Sequence, residues 1–436
     1  MRNRAFTISF FILISIALFP FTSFSEEKIE MEIASFQGGF GIDFFLECAR
    51  EFEKLHPNVK INLWGNPRVW EQLLPRFAAG TPPDAAWPGW GMNNWDLIVN
   101  NHLLALDPYL EEQAFGSDRK WRDVFIPSLL HKGTYHGKCY IIPFNFNAFG
   151  IWYNKKMFLE HGWSAPKTYN ELLSLCEKIK KEGIAPLTFT GRYPAYPLRG
   201  FVYPWIISAG GYDVFKRIGN LEEGAWNHPA CLKALRCVMD MKKRQYFQAG
   251  CIGMNHTESQ MEFLVGRAAM IPCGTWLHSE MRNLLPPDFA MEFFIPPVFP
   301  DGIGDPTALG GPIDAEWVVS TQSKHQREAV DFIKYLACPE KAKKFLLTKG
   351  SLMTIRIAGE FDPPEYLKQA LNAANQAKII YNPDFESWYP SLSTEIVNAF
   401  SNLYNEVITP EEFIARAEKA SKKVREDKNI PKFAME

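Results

Sequence analysis

The chain has 436 residues, of which 47% are hydrophobic and 22% charged, and its formal net charge is −2. This is the composition of an ordinary globular protein, and the length exceeds what one hydrophobic core usually holds, so two lobes are expected. Because the charge is nearly balanced, the sequence excludes a basic surface large enough for nucleic acid or an anionic membrane.

The first 25 residues have the organisation of a secretory signal peptide. Arg2 and Arg4 supply the positive start, residues 5–19 the apolar stretch, and residues 23–25 a cleavage site. The first cysteine after the expected cut is Cys48, so no lipid-bearing cysteine is expected at the mature start. No later stretch is apolar and long enough to cross a bilayer. The sequence therefore predicts export without a lipid anchor.

The mature chain begins with alternating strands and helices. The apolar pattern predicts strands at 29–35 and 59–64, and helical spacing predicts helices at 43–55 and 68–79. Two such strand–helix pairs begin a parallel sheet, and ligands of open α/β sheets bind beyond the carboxyl ends of the strands. An α/β fold with a site at that edge is therefore expected.

Two tryptophans follow the next short strand. Trp87 and Trp90 stand where residues 85–87 break into a turn rich in glycine and proline. This places them at the carboxyl edge of the sheet, where an aromatic ring can contact a ligand. The alternative is that they fasten the loop to the hydrophobic core.

Residues 137–173 are the stretch around which the other segments are organised. An extended run carries the polar Asn145 and Asn147 through an aromatic stretch. A strand that leaves one lobe and enters another, with amides at the crossing, is a hinge beside a cleft. Thr168 and Glu171 have the spacing of a capping box, which predicts a helix beginning at residue 169.

The loop at residues 191–199 is a candidate recognition loop. Prolines limit its flexibility, and it presents Arg192, Tyr193 and Tyr196. Guanidinium groups and tyrosine rings suit ligands that bear hydroxyls and amides. The alternative is that these side chains only cover the surface.

Later segments add further candidates. Trp276 follows the strand predicted at 268–271, and Trp388 lies in an aromatic interruption of the helical C-terminal part. An extended run at 313–320 carries Asp314 and Glu316. Residues i and i+2 of a strand share a face, so a glycosidase pair remains an alternative, although a chain with 49 acidic residues offers many such pairs.

No catalytic or metal-binding motif accompanies these residues. The sequence lacks a nucleophile elbow, a zinc-protease motif, a phosphate-binding loop and a dinucleotide fingerprint. No Cys/His spacing resembles a zinc site. We therefore predict no catalytic residue, no metal and no cofactor.

Eight cysteines leave many disulfide pairings open in an exported protein. Cys231 and Cys237 lie six residues apart in a helical pattern, a rise of about 9 Å, which is too far for an unstrained bridge. Single buried thiols are the simpler interpretation for most of the eight.

The aromatic content favours a carbohydrate ligand. The chain has 13 Trp, 15 Tyr and 34 Phe. A pyranose has apolar faces that aromatic rings cover and a rim of hydroxyls that amides, carboxylates and arginine satisfy. Each polar group buried without a partner costs about 1–3 kcal/mol, so the rim would provide the discrimination.

Several segments together resemble a known family. In chain order they are GTPPDAAW, YHGKCYIIPFNFNAFGIWYNKKMF, GWSAPKTYNELL, VGRAAMIPCGTW and AVDFIKYLACPEKAKKF. Their combination resembles the extracellular solute-binding proteins (family 1) of ABC sugar importers over essentially the whole mature chain. The stretches GIWYNKKMFLEHGW, APLTFTGRYPAYP, NLEEGAWNHPA and NHTESQMEFLVGRAAMIPCGTW are similar to the subgroup that binds N-acetylglucosamine and diacetylchitobiose.

The resemblance implies a hinged, two-lobed periplasmic-binding-protein fold of class II. It implies crossings between the lobes at residues 142–147, 271–274 and 311–316. The domains expected on this basis are a signal peptide at 1–25, an N-terminal lobe at 26–143 and 275–311, and a C-terminal lobe at 144–274 and 312–436.

The resemblance also implies roles for the candidate residues. Trp276 and Trp388 would stack on sugar rings from the C-terminal lobe, with Trp87 and Trp90 on the opposite wall and Asn147 at the hinge. The loop at residues 193–196 matches a place where family members add an aromatic contact. The candidate binding residues are Trp87, Trp90, Asn145, Asn147, Arg192, Tyr193, Tyr196, Trp276, Glu316 and Trp388.

The function implied is capture of a mono- or oligosaccharide, with N-acetylglucosamine or chitobiose as the expected ligand. The protein would be a monomer, would do no covalent chemistry, and would deliver its ligand to ABC permease subunits that have a cytoplasmic ATPase. Two alternatives remain, a secreted glycoside hydrolase with an aromatic-lined cleft and a binding protein for peptides or other solutes.

Overall fold

Two separate β-sheets organise the chain, whose structure is a computed structural model describing residues 28–357 and 361–435. The strands of the first sheet, in spatial order, are Val59–Asn66, Ile29–Phe36, Ala85–Trp87, Glu316–Val319 and Ile142–Pro143. The strands of the second are Ile380–Tyr381, Leu309–Gly310, Phe149–Asn154, Ala268–Gly274 and Ala185–Leu187, with Met291–Phe294 also paired to Phe149–Asn154. Each sheet is the centre of one lobe, and the predicted two-lobed α/β fold is confirmed. The predicted signal peptide lies outside the described residues.

Helices cover both sheets. The first lobe has Asp43–Leu55, Val69–Ala79, Asn94–Val99, Asp107–Leu110, Pro127–Leu130, Gln326–Leu336 and Pro339–Lys349, with 3-10 turns at Trp121–Val124 and His131–Gly133. The remaining helices are Lys155–His161, Tyr169–Lys181, Ala195–Pro197, Tyr203–Gly210, Tyr212–Gly219, Pro229–Lys243, His256–Leu264, Leu277–Met281, Glu365–Gln376, Phe385–Trp388, Pro390–Tyr404 and Pro410–Glu426. A π-helical turn lies at Leu198–Val202 and 3-10 turns at Ala225–Asn227 and Cys251–Gly253. Among the described residues, no helix is long and apolar enough to span a bilayer.

The start of the first sheet follows the predicted strand–helix alternation. Ile33 pairs in parallel with Leu63 on one side and with Ala85 on the other. Met31 and Ile33 are buried, as the alternating pattern requires. Because these three strands are parallel, their carboxyl ends lie at one edge of the sheet.

The predicted capping box is also present. The Thr168 hydroxyl accepts a hydrogen bond from the Glu171 backbone N–H, and the Glu171 carboxylate accepts one from the Thr168 N–H. The helix Tyr169–Lys181 then buries Leu172 and Ile179 on one face. This local signal was sufficient to fix where the helix begins.

Several segments lie in the lobe opposite to the predicted one, among them Leu309–Gly310 of the second sheet and the first-lobe helices Gln326–Leu336 and Pro339–Lys349. Met291–Phe294, predicted for the N-terminal lobe within residues 275–311, pairs with a strand of the second sheet. Glu316–Val319, predicted for the C-terminal lobe within residues 312–436, pairs with two strands of the first sheet. These placements were wrong because the residue pattern identifies a strand without identifying its pairing partner.

The chain crosses between the sheets at two of the three predicted places. One crossing joins Ile142–Pro143 of the first sheet to Phe149–Asn154 of the second, and another joins Leu309–Gly310 to Glu316–Val319. The crossing predicted at residues 271–274 was wrong, because those residues lie inside a strand of the second sheet. What looked like the end of a crossing strand is the end of an internal one.

A different segment carries the chain back to the second lobe. After the helix Pro339–Lys349, Leu352–Met353 pairs with Asn145–Phe146 in a two-stranded ribbon at the hinge. The helix Glu365–Gln376 then packs on Met291–Phe294. A second ribbon joins Thr134–Tyr135 to Lys138–Cys139. The hinge is therefore built from segments far apart in sequence.

All eight cysteines are free thiols, and seven of them are buried. Cys231 and Cys237 lie on the helix Pro229–Lys243 without bridging each other. The interpretation of the cysteines as single thiols is confirmed.

Candidate ligand-binding site

Asn145 holds the hinge together. Its buried amide nitrogen donates to Asp314 Oδ2 at 3.2 Å and to Ser351 Oγ at 2.7 Å. Its amide oxygen accepts from the Ala315 backbone N–H at 3.0 Å. One side chain thus joins three segments that pass between the lobes, and its hydrogen-bonding capacity is used in doing so.

Asn147 connects the hinge to the segment that carries Trp276. Asn147 is buried, and its Oδ1 accepts from the Thr275 hydroxyl at 2.9 Å. Asn147 also hydrogen-bonds the Asp314 carboxyl. The position predicted for Asn147, at the hinge, agrees with this geometry.

Two carboxyl groups lie at the same crossing. Burial raises the pKa of Asp314 to about 6, although hydrogen bonds from Asn145 and Asn147 act against the shift. Burial likewise raises the pKa of Glu316 to about 7, although its Oε2 accepts from Asn94 Nδ2 at 2.6 Å. Both groups are partly exposed and have hydrogen-bond donors around them.

These two groups belong to a row of four. Burial raises the pKa of Glu280, and the charge of Asp314 raises it further, while Gln260 Nε2 donates to Glu280 at 2.7 Å. Asp384 lies close enough to raise the pKa of Glu316 in the same way. We refer to Glu280, Asp314, Glu316 and Asp384 as the carboxylate row.

The carboxylate row has acceptors for ligand hydroxyls but few fixed charges of opposite sign. Within the described residues, Asp384 is the member of the row that forms an ion pair, with Lys132 Nζ of the first lobe at 3.5 Å. No group of side chains in the described part of the chain is suited to hold a metal ion. The row is therefore best suited to accept hydrogen bonds from an uncharged polar ligand.

One end of the row, here called the Trp276 end, is aromatic and partly open. The Trp276 ring is partly exposed and contacts Phe149 at 5.9 Å between centroids. Tyr196 stands perpendicular to Trp276 at 6.2 Å and also contacts His256 at 5.0 Å. Two of the predicted residues, Trp276 and Tyr196, are thus brought together beside the row.

The rest of the recognition loop lies further out. Tyr193 is 44% exposed and stacks flat on His256 at 4.5 Å. The Arg192 side chain is exposed, and its backbone N–H donates to Met254 O at 3.0 Å. Tyr193 thus contacts the same His256 ring as Tyr196, and the Arg192 side chain lies on the surface.

The opposite end of the row, here called the Trp388 end, is aromatic and closed. Trp388 is only 8% exposed. Its ring contacts Trp95 of the first lobe at 5.9 Å and lies nearly parallel to Phe433 at 5.5 Å, with 24° between the ring planes. The indole N–H of Trp388 has no hydrogen-bond partner among the described residues.

The two remaining predicted tryptophans are not brought to the row in the same way. Trp87 is 2% exposed and packs in the core of the first lobe, where its Nε1 donates to the Asp314 backbone carbonyl at 3.0 Å. Trp90 is 76% exposed and contacts Trp70 at 4.7 Å. Trp87 therefore fits the alternative interpretation, in which it packs in the hydrophobic core, and Trp90 lies on the surface.

Several residues of this region escaped the sequence analysis. They are Asn94, Trp95, Glu280, Asp384 and Phe433, and each comes from a segment without a binding motif. The pair Asn94 and Trp95 follows Trp90 closely, so the cluster of aromatic and amide residues there was the one available signal.

Two cavities of the structure lie outside this region. A cavity of about 460 Å³ is lined by Tyr169, Lys233 and Arg236 among others, and one of about 310 Å³ by Lys156 and Phe289 among others. Neither contains a residue of the carboxylate row or of its aromatic ends. The row lies instead between lobes that are in contact.

Comparisons with known proteins agree with this architecture. A family model described as bacterial extracellular solute-binding protein matches residues 42–343. The diacetylchitobiose binding protein NgcE of Streptomyces coelicolor is 26% identical over 422 residues, which are 95% of this chain and 88% of that protein. The multiple sugar-binding protein of Streptococcus mutans is 25% identical over 319 residues, 70% of this chain and 71% of that protein.

Solved structures show the same fold. A structure from a study of xylan utilization by the thermophilic bacterium Caldanaerobius polysaccharolyticus has a TM-score of 0.77 at 22% identity, covering 90% of this chain and 99% of its own. A chitin oligosaccharide binding protein has a TM-score of 0.73 at 21% identity, covering 89% of this chain and 98% of its own. At these identities the likeness concerns the fold.

Proposed function

We infer that this chain, which belongs to the bacterial extracellular solute-binding protein family, captures a carbohydrate between its two lobes and delivers it to an ABC importer. The observation that carries this proposal is the carboxylate row with an aromatic group at each end. The lobes meet along that row, so a ligand there would be enclosed by residues of both.

The chemistry of the row matches a sugar. Hydroxyl groups of a pyranose donate to carboxylates, and a ring of the Trp276 end covers an apolar sugar face. The row is still partly exposed in this structure, and closure of the lobes over a ligand would remove further water, which strengthens each hydrogen bond made to it. A micromolar dissociation constant corresponds to about −8 kcal/mol, which two stacked rings and a satisfied polar rim can supply.

For the sugar itself we propose N-acetylglucosamine or chitobiose. The relative from Streptomyces coelicolor that is named for diacetylchitobiose aligns with nearly the whole chain, which supports this choice. The free indole N–H of Trp388 and the amide of Asn94, whose Oδ1 also has no partner among the described residues, offer groups that an acetamido substituent can bind.

The family assignment confirms that the chain is a binding protein and not an enzyme. Raised carboxyl pKa values are also found in glycoside hydrolases, where a protonated carboxyl is the general acid. In this chain the same carboxyls can hydrogen-bond ligand hydroxyls, as acceptors when ionised and as donors when protonated. The alternative of a secreted hydrolase is therefore not needed to explain them.

We further propose the setting in which the protein acts. Export by a cleaved signal peptide would place a monomer, unattached to lipid, in the periplasm. There the closed form would meet permease subunits coupled to a cytoplasmic ATPase. The family is extracellular, which supports this setting.

Calorimetry with N-acetylglucosamine, chitobiose, maltose and xylobiose tests the proposal. We expect micromolar binding of at least one of the two amino sugars and weaker binding of the others. Intrinsic tryptophan fluorescence should change with the same midpoint, since both ends of the row contain tryptophan. Release of the chromophore from a nitrophenyl chitobioside, abolished by Glu316→Gln, would contradict the proposal.

A further inference from the structure

The last described segment of the chain, residues 430–435, is fixed to the second lobe by side-chain hydrogen bonds. We refer to it as the closing segment. The Phe433 N–H donates to the Tyr389 hydroxyl oxygen at 2.9 Å. The Met435 N–H donates to Asn220 Oδ1 at 2.6 Å, and Asn220 Nδ2 donates back to the Met435 carbonyl at 3.2 Å. These bonds hold the segment in one register on the lobe.

Gly219 provides the space that this register needs. A Cβ atom at Gly219 would lie 2.0 Å from Met435 Sδ, so any other residue would have to displace the methionine. Met435 itself is buried. The closing segment therefore has a fitted seat on the second lobe.

The seat places the Phe433 ring between the two lobes. Phe433 lies 5.5 Å from Trp388 of the second lobe, 5.2 Å from Trp95 of the first and 5.2 Å from Tyr135 of the first. The ring lies nearly parallel to Trp388, with 24° between the planes, meets Trp95 edge-on and is tilted against Tyr135. A single side chain of this segment thus bridges the Trp388 end.

This arrangement is the one a stacked sugar ring would need. A pyranose that stacks on an indole lies parallel to it at van der Waals distance. Phe433 occupies such a position on Trp388, and Trp95 meets the edge of the same indole. Because so little of Trp388 is exposed, a sugar cannot stack there until one of these rings moves.

We propose that the closing segment is a built-in competitor for the ligand, in which Phe433 covers the Trp388 face until a sugar ring replaces it. The proposal rests on the proposed sugar-binding function. Stacking on Trp388 is favourable whether the partner is Phe433 or a sugar ring. A sugar that displaces Phe433 therefore gains only the difference between the two stacking free energies at this end. The native chain therefore binds the sugar more weakly than it would if the closing segment did not cover Trp388.

Amide hydrogen exchange tests the seat of the closing segment without a sugar. In the ligand-free protein the amides of Phe433 and Met435 should be protected, because both donate to side chains of the folded lobe. Exchange of these amides at the rate of an unstructured peptide would overturn the proposal. Saturating chitobiose should then raise their exchange, and unchanged or stronger protection would also overturn it.

Variants test the competition. Phe433→Ala should bind chitobiose about tenfold more tightly by calorimetry, because no ring has to leave Trp388. Gly219→Ala should tighten binding in the same direction by displacing Met435 from its seat. Ala434→Ser is the matched control, an exposed position of the same segment, and should leave the affinity within twofold.

The outcomes separate this proposal from the proposed function. Equal or weaker binding by Phe433→Ala, in a variant whose thermal unfolding shows it is folded, would mean that the ring is part of the sugar site and would overturn the competition. If no sugar of the panel binds any of the four proteins, the proposed function fails. In that case, amide hydrogen exchange in the ligand-free protein still tests whether the closing segment is held on the second lobe.

Discussion

The two aromatic ends of the carboxylate row differ in what covers them. At the Trp276 end the indole is partly exposed, and its neighbours Phe149 and Tyr196 come from the same lobe. At the Trp388 end the indole is buried between Trp95 of the other lobe and Phe433. Two tryptophans with the same expected role are therefore in different states, one partly exposed and one covered by the chain.

The difference shows that the residue type alone does not determine whether a tryptophan ring is accessible to a ligand. Trp276 follows the end of a strand of its own lobe, so its surroundings are set locally. The surroundings of Trp388 depend on contact between the lobes and on the closing segment, neither of which a local pattern encodes. Measurements that distinguish the two ends therefore test the structure most directly.

Removing the covered indole should have the largest effect on stability. Trp388→Ala deletes a nearly buried ring that contacts three other aromatic side chains, so the free energy of unfolding should fall by about 3 kcal/mol. Denaturation by urea followed by circular dichroism measures this. A loss of less than about 1 kcal/mol would mean that the Trp388 end is open in solution.

Removing the open indole should affect binding more than stability. Trp276→Ala should weaken chitobiose binding by at least about tenfold, or about 1.4 kcal/mol, because a sugar face loses its apolar cover. Its free energy of unfolding should change by less than that of Trp388→Ala. Calorimetry on the folded variant gives the affinity, and an unchanged dissociation constant would place Trp276 in the core.

The carboxylate row between the ends should make stability depend on pH. The pKa of Glu316 is raised from 4.5 to about 7, so the folded protein holds a proton there that the unfolded chain has released between these values. The free energy of unfolding should therefore fall as pH rises from about 5 to 7, by about 2 kcal/mol. Asp314, whose pKa is raised to about 6, adds to the fall in the same direction.

A variant isolates the contribution of Glu316. Glu316→Gln keeps an acceptor for Asn94 but cannot ionise, so its stability should depend less on pH and should exceed that of the native chain at pH 8. The exposed Glu30→Gln is a matched control and should follow the native curve. Parallel curves for Glu316→Gln and the native chain would show that Glu316 is well hydrated.

The smallest effect is expected at Trp90. Because its ring is mostly exposed and its ring contact is with Trp70, Trp90→Ala should change the chitobiose affinity by no more than about twofold. The same calorimetric titration measures it. A tenfold loss would mean that lobe movement brings Trp90 onto the ligand as a third aromatic contact.

Much of the fold could be predicted from local patterns. The alternation at residues 29–35 and 59–64 predicted the first strands, and Thr168 with Glu171 predicted a helix start, because each signal lies within a few residues. The hinge at residues 142–147 was predicted because polar amides in an aromatic strand are unusual. Among the predicted site residues, Glu316 lies within the carboxylate row, and those beside it are Asn145, Asn147, Tyr196, Trp276 and Trp388.

What was missed depends on contacts between distant segments. The pairing of Glu316–Val319 with the first sheet joins residues more than 200 positions apart, and no local pattern encodes it. The burial of Trp87 follows from Phe36, Phe45 and Trp317 packing around it. Phe433 carries no motif, and it is important only because a fitted seat holds it against Trp388.

The free thiols have a consequence for how such a protein reaches its compartment. An unfolded chain passing into an oxidising space exposes eight thiols that can react in many wrong pairs. In the folded chain, burial raises the pKa of Cys48, Cys139 and Cys251 to about 12, so almost no reactive thiolate remains. Rapid folding therefore protects these thiols from oxidation. A variant that folds slowly should form wrong disulfides and give less folded protein, while the molecules that do fold keep their affinity.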